Sequence, residues 1–198
     1  ITALAVSAKN KKNKIDIKSA CMKLVPHRGT SIKPVRAIII GIPNVGKSSL
    51  INLLTQKKIA KTGDVPAVTQ MQQRIIVDND FVLTDTPGLM WHKIESEVQG
   101  NYLAASNIIG INAYDETEAA LYLLDCLKKN YSKKLIDRYQ LDETIIKQPS
   151  EDIIEFIAIK KHMLLKGNSP DLKKSAVIIL QDYRSQKIGR ISLEFPEK

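Results

Sequence analysis

Residues 41–48, Gly41-Ile42-Pro43-Asn44-Val45-Gly46-Lys47-Ser48, match the pattern G-x-x-x-x-G-K-[ST] without a gap. The pattern constrains the fold because it works only between a strand and a helix. Ahead of it, Val35-Arg36-Ala37-Ile38-Ile39-Ile40 is rich in β-branched residues and reads as a buried strand. Behind it, Ser48 to Leu54 reads as a helix. Glycines at such a turn let backbone N–H groups face phosphates, and the helix N-terminus adds a positive field. The expected phosphate-binding residues are therefore Asn44, Val45, Gly46, Lys47, Ser48 and Ser49. Lys47 would reach the β- and γ-phosphates, and the Ser48 hydroxyl would bind Mg²⁺.

A second motif stands 37 positions beyond Ser48. Phe81-Val82-Leu83-Thr84-Asp85 is an apolar strand running into Asp85-Thr86-Pro87-Gly88. An acidic residue at that strand end holds Mg²⁺ through water, and the Gly88 N–H senses a γ-phosphate. Asp-Thr-Pro-Gly is typical of GTPases rather than of ATPases with the same loop. The interval suits a helix, a switch loop and two strands, and within it Thr69 is the candidate switch threonine that closes on Mg²⁺ and the γ-phosphate. Lys47, Thr69 and Gly88 are the expected catalytic set, and Ser48, Thr69 and Asp85 the expected Mg²⁺ set.

The order of the remaining motifs is unusual. A Ras-like GTPase places a guanine-reading Asn-Lys-x-Asp, then Ser-Ala-Lys, after the Asp-Thr-Pro-Gly. No [NT]-K-x-D occurs from 89 to 198, whereas Ala5-Val6-Ser7-Ala8-Lys9 stands near the start, behind a strand-like Thr2-Ala3-Leu4. This is the order of a circularly permuted GTPase, with Ser7 and Ala8 as nucleotide-binding residues. All the loops would still project from the carboxyl ends of one parallel sheet, where ligands bind. Asn13-Lys14-Ile15-Asp16 matches the guanine motif by letter only. It follows loop-like Lys9-Asn10-Lys11-Lys12 instead of capping an apolar strand, and Asp16 is expected to open a helix from Ile17 to Leu24. The true guanine motif is expected upstream of Ile1.

Three segments extend the pattern: 41–48, Gly63-Asp64-Val65-Pro66-Ala67-Val68-Thr69-Gln70, and Asp85-Thr86-Pro87-Gly88-Leu89-Met90-Trp91. With the tail from Asp182 to Glu194 they resemble the ribosome biogenesis GTPase A family, the YlqF type. The resemblance runs from Ser7 to about Glu194. It implies a cytoplasmic enzyme that binds GTP and GDP with Mg²⁺; the sequence does not fix the oligomeric state, and a monomer is the expectation. It also implies that the enzyme hydrolyses GTP and acts late in assembly of the large ribosomal subunit, against rRNA. The sequence departs from the family near Gln186, where glycine is usual, and after Trp91.

Charge agrees with an RNA partner. The net charge is +9, and residues 1–104 carry 15 Lys and Arg against 7 Asp and Glu. Nine of those cations lie in 9–36, with Asp16 as the sole acid there. Such a patch suits a phosphate backbone, although a charge run also serves as a plain solvated face. No apolar run is long enough to span a bilayer. Cys21, Cys126 and the three histidines show no metal spacing.

From about Glu95 the pattern turns helical. The expected elements are Ser96–Ile109, Asp115–Lys129, a short Ser132–Tyr139, Glu151–Leu165 capped by Ser150 and ended by Gly167, and Asp171–Ser185 opened by Ser169-Pro170. The expected fold is thus α/β: a P-loop GTPase sheet with helices on both faces over 1–94, permuted and lacking its N-terminal part. A small all-α domain over 95–198 follows, binding RNA or the ribosome. Lys173, Lys174, Arg184, Lys187 and Arg190 are its candidate rRNA contacts.

GTP hydrolysis is largely positioning and charge stabilisation. The position after Gly88 is Leu89, which cannot hold a water, so the water-orienting group must come from elsewhere. Asn44 sits where potassium-dependent GTPases use an asparagine, and an amide oxygen suits K⁺. His92 is read as a loop residue. Two other functions fit the same motifs: a GTPase acting on tRNA modification or the small subunit, and an RNA-binding module whose nucleotide site is only structural.

Overall fold

β1 (Val35–Ile39), β2 (Gln73–Asp78) and β3 (Phe81–Asp85) form one sheet in the order β1-β3-β2. The computed structural model describes residues 3–59, 71–90, 93–94, 96–110 and 113–195, so Thr69 with the rest of 60–70, Trp91 and His92 lie outside the described residues. The chain divides into two units, Ile1–Trp91 and His92–Lys198.

In the first unit β1 runs parallel to β3, with Ile39 opposite Asp85, so the loops after both strands leave from the same end. A parallel pair needs a crossover, which contains helix α2 (Lys47–Thr55). β2 is antiparallel to β3. The expected all-parallel sheet is therefore mixed, because only Asn79 and Asp80 separate β2 from β3 and a link that short allows only a hairpin.

Alternation along the strands sorts the faces. Val35, Ile75, Phe81 and Leu83 pack with Ile51 and Leu54 of α2, and Ile17, Cys21 and Met22 of α1 (Asn13–Leu24) lean on the same cluster. Both described helices of this unit therefore serve one face, contrary to the expectation of helices on both. On the other face Ile38 and Ile76 are 65% and 69% exposed. Ion pairs fix α1 over the β2–β3 turn. Lys18 Nζ lies 2.9 Å from Asp78 and 2.6 Å from Asp80, with Lys14 3.8 Å from Asp78. The hydrogen bond from Lys18 holds the Asp78 carboxyl below its ordinary range. Two cations of the 9–36 patch are thus committed to internal carboxylates.

α1 starts at Asn13, not at Ile17. Asn13 Nδ2 donates to Asp16 Oδ2 at 3.0 Å, and Asn13 Oδ1 accepts the Ser7 N–H at 2.8 Å, which closes the first turn early. Ala3 to Val6 form no strand. Leu4 and Val6 are 47% and 43% exposed, and no strand ladder among the described residues takes their backbone groups.

The described elements of the second unit are helices α3 (Glu97–Ala105), α4 (Glu116–Tyr139), α5 (Ser150–Lys160) and α6 (Leu172–Arg184), with a short 3₁₀ turn at Ile145–Lys147. Leu123, Leu127, Ile153, Ile157, Ile179 and Leu180 lie at the centre of their shared core. The two expected helices over 115–139 are one element bent at Tyr131, whose φ of −143° is not helical. Ser150 does not cap α5: its hydroxyl donates to Asp125 Oδ1 at 2.5 Å, and Pro149 holds the cap position. α5 ends at Lys160 instead of Leu165, since Leu164 pairs with Pro170 in an isolated β-bridge. That bridge removes Ser169 and Pro170 from the next helix. The cap of α6 is Asp171, whose Oδ1 accepts the Lys174 N–H at 2.9 Å.

The tail segment gains a structural meaning here. Asp182 is 3% exposed, and its Oδ2 accepts from Arg138 Nε and Nη2 at 2.9 and 2.7 Å and from the Tyr139 hydroxyl at 3.2 Å. A carboxylate this buried needs such partners. Burial first, then the charge of Asp182, pushes the Tyr139 hydroxyl far above its ordinary pKa, so it remains a donor. Arg184, half-buried, is engaged within the helical unit. Its guanidinium donates to the last carbonyls of α3, Ala104 and Ala105, both at 2.8 Å, and to the Tyr114 hydroxyl at 3.1 Å. Lys187 also answers Asp182, at 3.6 Å.

Candidate functional site

The loop between β1 and α2 has the backbone its residue types require. Gly46 sits at φ 96°, ψ 14° as the N-cap of α2, a left-handed conformation that costs glycine little. The N-cap residue is a glycine and brings no side-chain cap of its own, and the first turn of such a helix presents N–H groups suited to an anion. Asn44 is also left-handed, at φ 56°, a conformation asparagine tolerates better than most residues. Val45, 52% exposed, and Ser49 lie at the surface of the loop and first turn, while Ser48 is half-buried. Lys47 Nζ donates to Gly41 O at 3.0 Å and Ile42 O at 2.8 Å, which folds its ammonium over the loop's own backbone.

The loop after β3 closes on this one. Thr86 Oγ1 donates to Ile39 O at 2.7 Å, and the Leu89 N–H donates to Gly41 O at 3.1 Å. Gly88 touches the phosphate loop so closely that an added Cβ would lie 2.8 Å from both the N and the Cα of Pro43. Only glycine fits there. Asp85, 2% exposed, ends β3 directly opposite Ile39. The two loops predicted from separate motifs therefore form one cluster. The sequence reading missed Pro43 as the wall behind Gly88 and Thr86 as the tether to β1. Both lie inside quoted motifs, but their side-chain contacts have no signature in spacing.

Metal chemistry at this cluster is that of hard oxygen donors. The Ser48 hydroxyl and Asp85 carboxylate suit Mg²⁺, which keeps several waters and shares phosphate oxygens instead of filling a protein cage. No group of three His, Cys, Asp or Glu able to hold a metal occurs among the described residues. Ser7 and Ala8 form an exposed turn in which Ser7 O accepts the Asn10 N–H at 3.0 Å and Ser7 Oγ the Lys9 N–H at 3.3 Å. Thr69 lies outside the described residues. Leu89 is 64% exposed, an apolar side chain at the mouth of the cluster.

Comparison with known proteins agrees with this geometry. Residues 36–163 match the model of the 50S ribosome-binding GTPase family. The chain is 38% identical to ribosome biogenesis GTPase A of Bacillus cereus over 99% of its own length and 68% of the relative's. It is 39% identical to the Priestia megaterium protein of the same name, covering 100% of the chain and 71% of the relative. The GDP-bound structure of TM YlqF superposes with a TM-score of 0.62 at 22% identity, covering 91% of this chain and 67% of that one, which establishes a shared fold. A P-loop cluster closed by Asp-Thr-Pro-Gly, together with these identities over nearly the whole chain, makes this protein a member of the ribosome biogenesis GTPase A family.

Proposed function

We propose that the chain is the nucleotide-binding and helical part of a cytoplasmic GTPase that assists late maturation of the large ribosomal subunit. The observation that carries this reading is the seating of Gly88 on the phosphate loop, 2.8 Å from Pro43 for any added Cβ. A γ-phosphate held by the loop would meet the Gly88 N–H, so the loop after β3 would feel the difference between GTP and GDP. Lys47 would exchange its bonds to Gly41 O and Ile42 O for the β- and γ-phosphates, while the amides of 44–49 cradle them. Ser48, Asp85 and Thr69 would hold Mg²⁺, which would neutralise charge on the phosphate oxygens during hydrolysis.

The order of the motifs along the chain supports a permuted arrangement. The Ser7-Ala8-Lys9 turn, α1, β1 and the phosphate loop follow one another, so Ser7 and Ala8 would approach the guanine before the chain reaches the phosphates. Asn13 to Asp16 form a helical turn bonded to itself, which suits no base-reading role. Leu89 carries no group that could orient water, so K⁺ held near Asn44 or the ribosome itself would complete catalysis. The unit after Trp91 would bind rRNA, and the protein would work as a monomer. No helix among the described residues is long and apolar enough to cross a membrane.

Co-sedimentation tests the reading. The protein should pellet with isolated large subunits in the presence of a non-hydrolysable GTP analogue and release with GDP. Equal pelleting with small subunits, or none with large ones, would overturn it.

A further inference from the structure

We propose that the concavity between the ends of α4 and α5 is a binding site for the phosphodiester backbone of RNA. This deepens the reading that the partner is ribosomal RNA and rests on it. The concavity measures ≈ 320 Å³ and is lined by Arg138, Tyr139, Gln140, Ile157, Lys160 and Lys161. That volume lies at the low end for ligand sites, about 300–1,000 Å³, and suits a phosphate with part of its sugar. Every polar side chain in the lining can donate a hydrogen bond, and none is a carboxylate.

The cations are held in place. Lys160 Nζ donates to Gln140 O at 2.6 Å. Lys161 Nζ and the Arg138 guanidinium lie 5.7 and 5.8 Å from the centre of the Tyr139 ring. The ring is itself fixed by its hydroxyl on Asp182. Nearby negative charge does not balance them. Asp182 faces Arg138 and Lys187, the Asp142 carboxylate lies close enough to Lys160 to feel its charge, and the two helix C-termini supply about half a charge each. The four cations Arg138, Lys160, Lys161 and Lys187 exceed that by about one charge. An anion seated in the concavity would relieve this excess, and its partners would need no reordering. The lysine pair read from the sequence as an RNA contact is different. Lys173 and Lys174 lie on the exposed first turn of α6, with the Asp115 carboxylate close to Lys173.

The test uses a fluorescein-labelled RNA duplex of arbitrary sequence, titrated by anisotropy between 50 and 200 mM KCl. Loss of two phosphate contacts in the double variant Lys160→Gln, Lys161→Gln should flatten the slope of log K against log salt by about 1.8 and weaken binding roughly tenfold. Lys161→Gln alone preserves the Lys160–Gln140 bond and should flatten it by about 0.9. The control Lys129→Gln, Lys133→Gln, two exposed lysines of α4, removes the same net charge and should change the slope little. Equal losses in both double variants would mean a diffuse charge effect and overturn the site, as would no loss in the first. Inorganic phosphate at matched ionic strength should not displace the duplex. Displacement would make this a free-anion site and overturn the RNA assignment. GTP affinity, measured in parallel, should be the same in all variants. Failure of the parent to bind GTP would count against the phosphate-loop reading without touching the RNA result.

Discussion

Gly88→Ala probes the closure of the two loops most sharply. The new Cβ would lie 2.8 Å from Pro43 N and Cα and 2.9 Å from its Cγ. Non-bonded carbons settle at about 3.5–4.0 Å, so one loop must retreat by roughly 0.7 Å or more. Pro43 offers no alternative side-chain rotamer, and the backbone has to move. Overpacking of this kind costs about 1–3 kcal/mol. The retreat also pulls on the Thr86–Ile39 and Leu89–Gly41 hydrogen bonds, at 2.7 and 3.1 Å. If the Gly88 N–H meets the γ-phosphate, the cost falls mainly on the GTP state. Affinity for a non-hydrolysable GTP analogue should then drop about 5- to 150-fold, with a smaller change for GDP. Calorimetric titration with both nucleotides measures this, and far-UV circular dichroism checks the fold. A folded variant with an unchanged ratio of the two affinities would refute the argument.

Three further outcomes follow from the same geometry. Asn44→Gly keeps the left-handed backbone and removes the amide, so it should abolish any advantage of KCl over NaCl in GTP hydrolysis at equal ionic strength, and a persisting advantage would free Asn44 of a K⁺ role. Asp182→Ala leaves the buried Tyr139 hydroxyl and part of Arg138 without their carboxylate. It should destabilise the protein by about 3 kcal/mol, the low end for a broken buried pair because Arg138 can partly rehydrate; denaturant melts reading under about 1 kcal/mol would contradict the tail's structural role. The Asp78 carboxyl titrates below its ordinary value because Lys18 bonds its charged form. The stabilisation this gives is full above the ordinary carboxylate pKa and is lost as pH falls through the lowered one. In Lys18→Ala the NMR titration of Asp78 should move upward, and an unmoved midpoint would mean that Lys18 is not its partner in solution.

The phosphate-loop cluster was legible because each motif encodes a backbone requirement. Glycine at 46 marks a left-handed turn, and the β-branched runs at 35–40 and 81–85 mark strands. The helical half was legible as helices but not in its ends. Ser150 and Ser169 have cap chemistry, yet tertiary partners took them: Asp125 drew the Ser150 hydroxyl, and the Leu164–Pro170 bridge displaced Ser169. Arg184 shows the same limit, since nothing in its sequence neighbourhood marks α3's carbonyls as its target. The mixed sheet was implicit in a two-residue gap at Asn79-Asp80 that the motif reading passed over.

On the proposed function, the 41–48 loop and the 85–88 loop together hydrolyse GTP in response to the large ribosomal subunit. The most direct measurement is phosphate release from GTP with and without isolated large subunits, for the parent protein and for Lys47→Ala. The variant loses a charge-assisted phosphate contact worth about 1.5–3 kcal/mol, and so at least about tenfold in nucleotide affinity. The parent alone should hydrolyse GTP slowly and clearly faster with large subunits, and Lys47→Ala should lose both activities at sub-saturating GTP. Equal rates for parent and variant, or no response of the parent to large subunits, would contradict the proposed function.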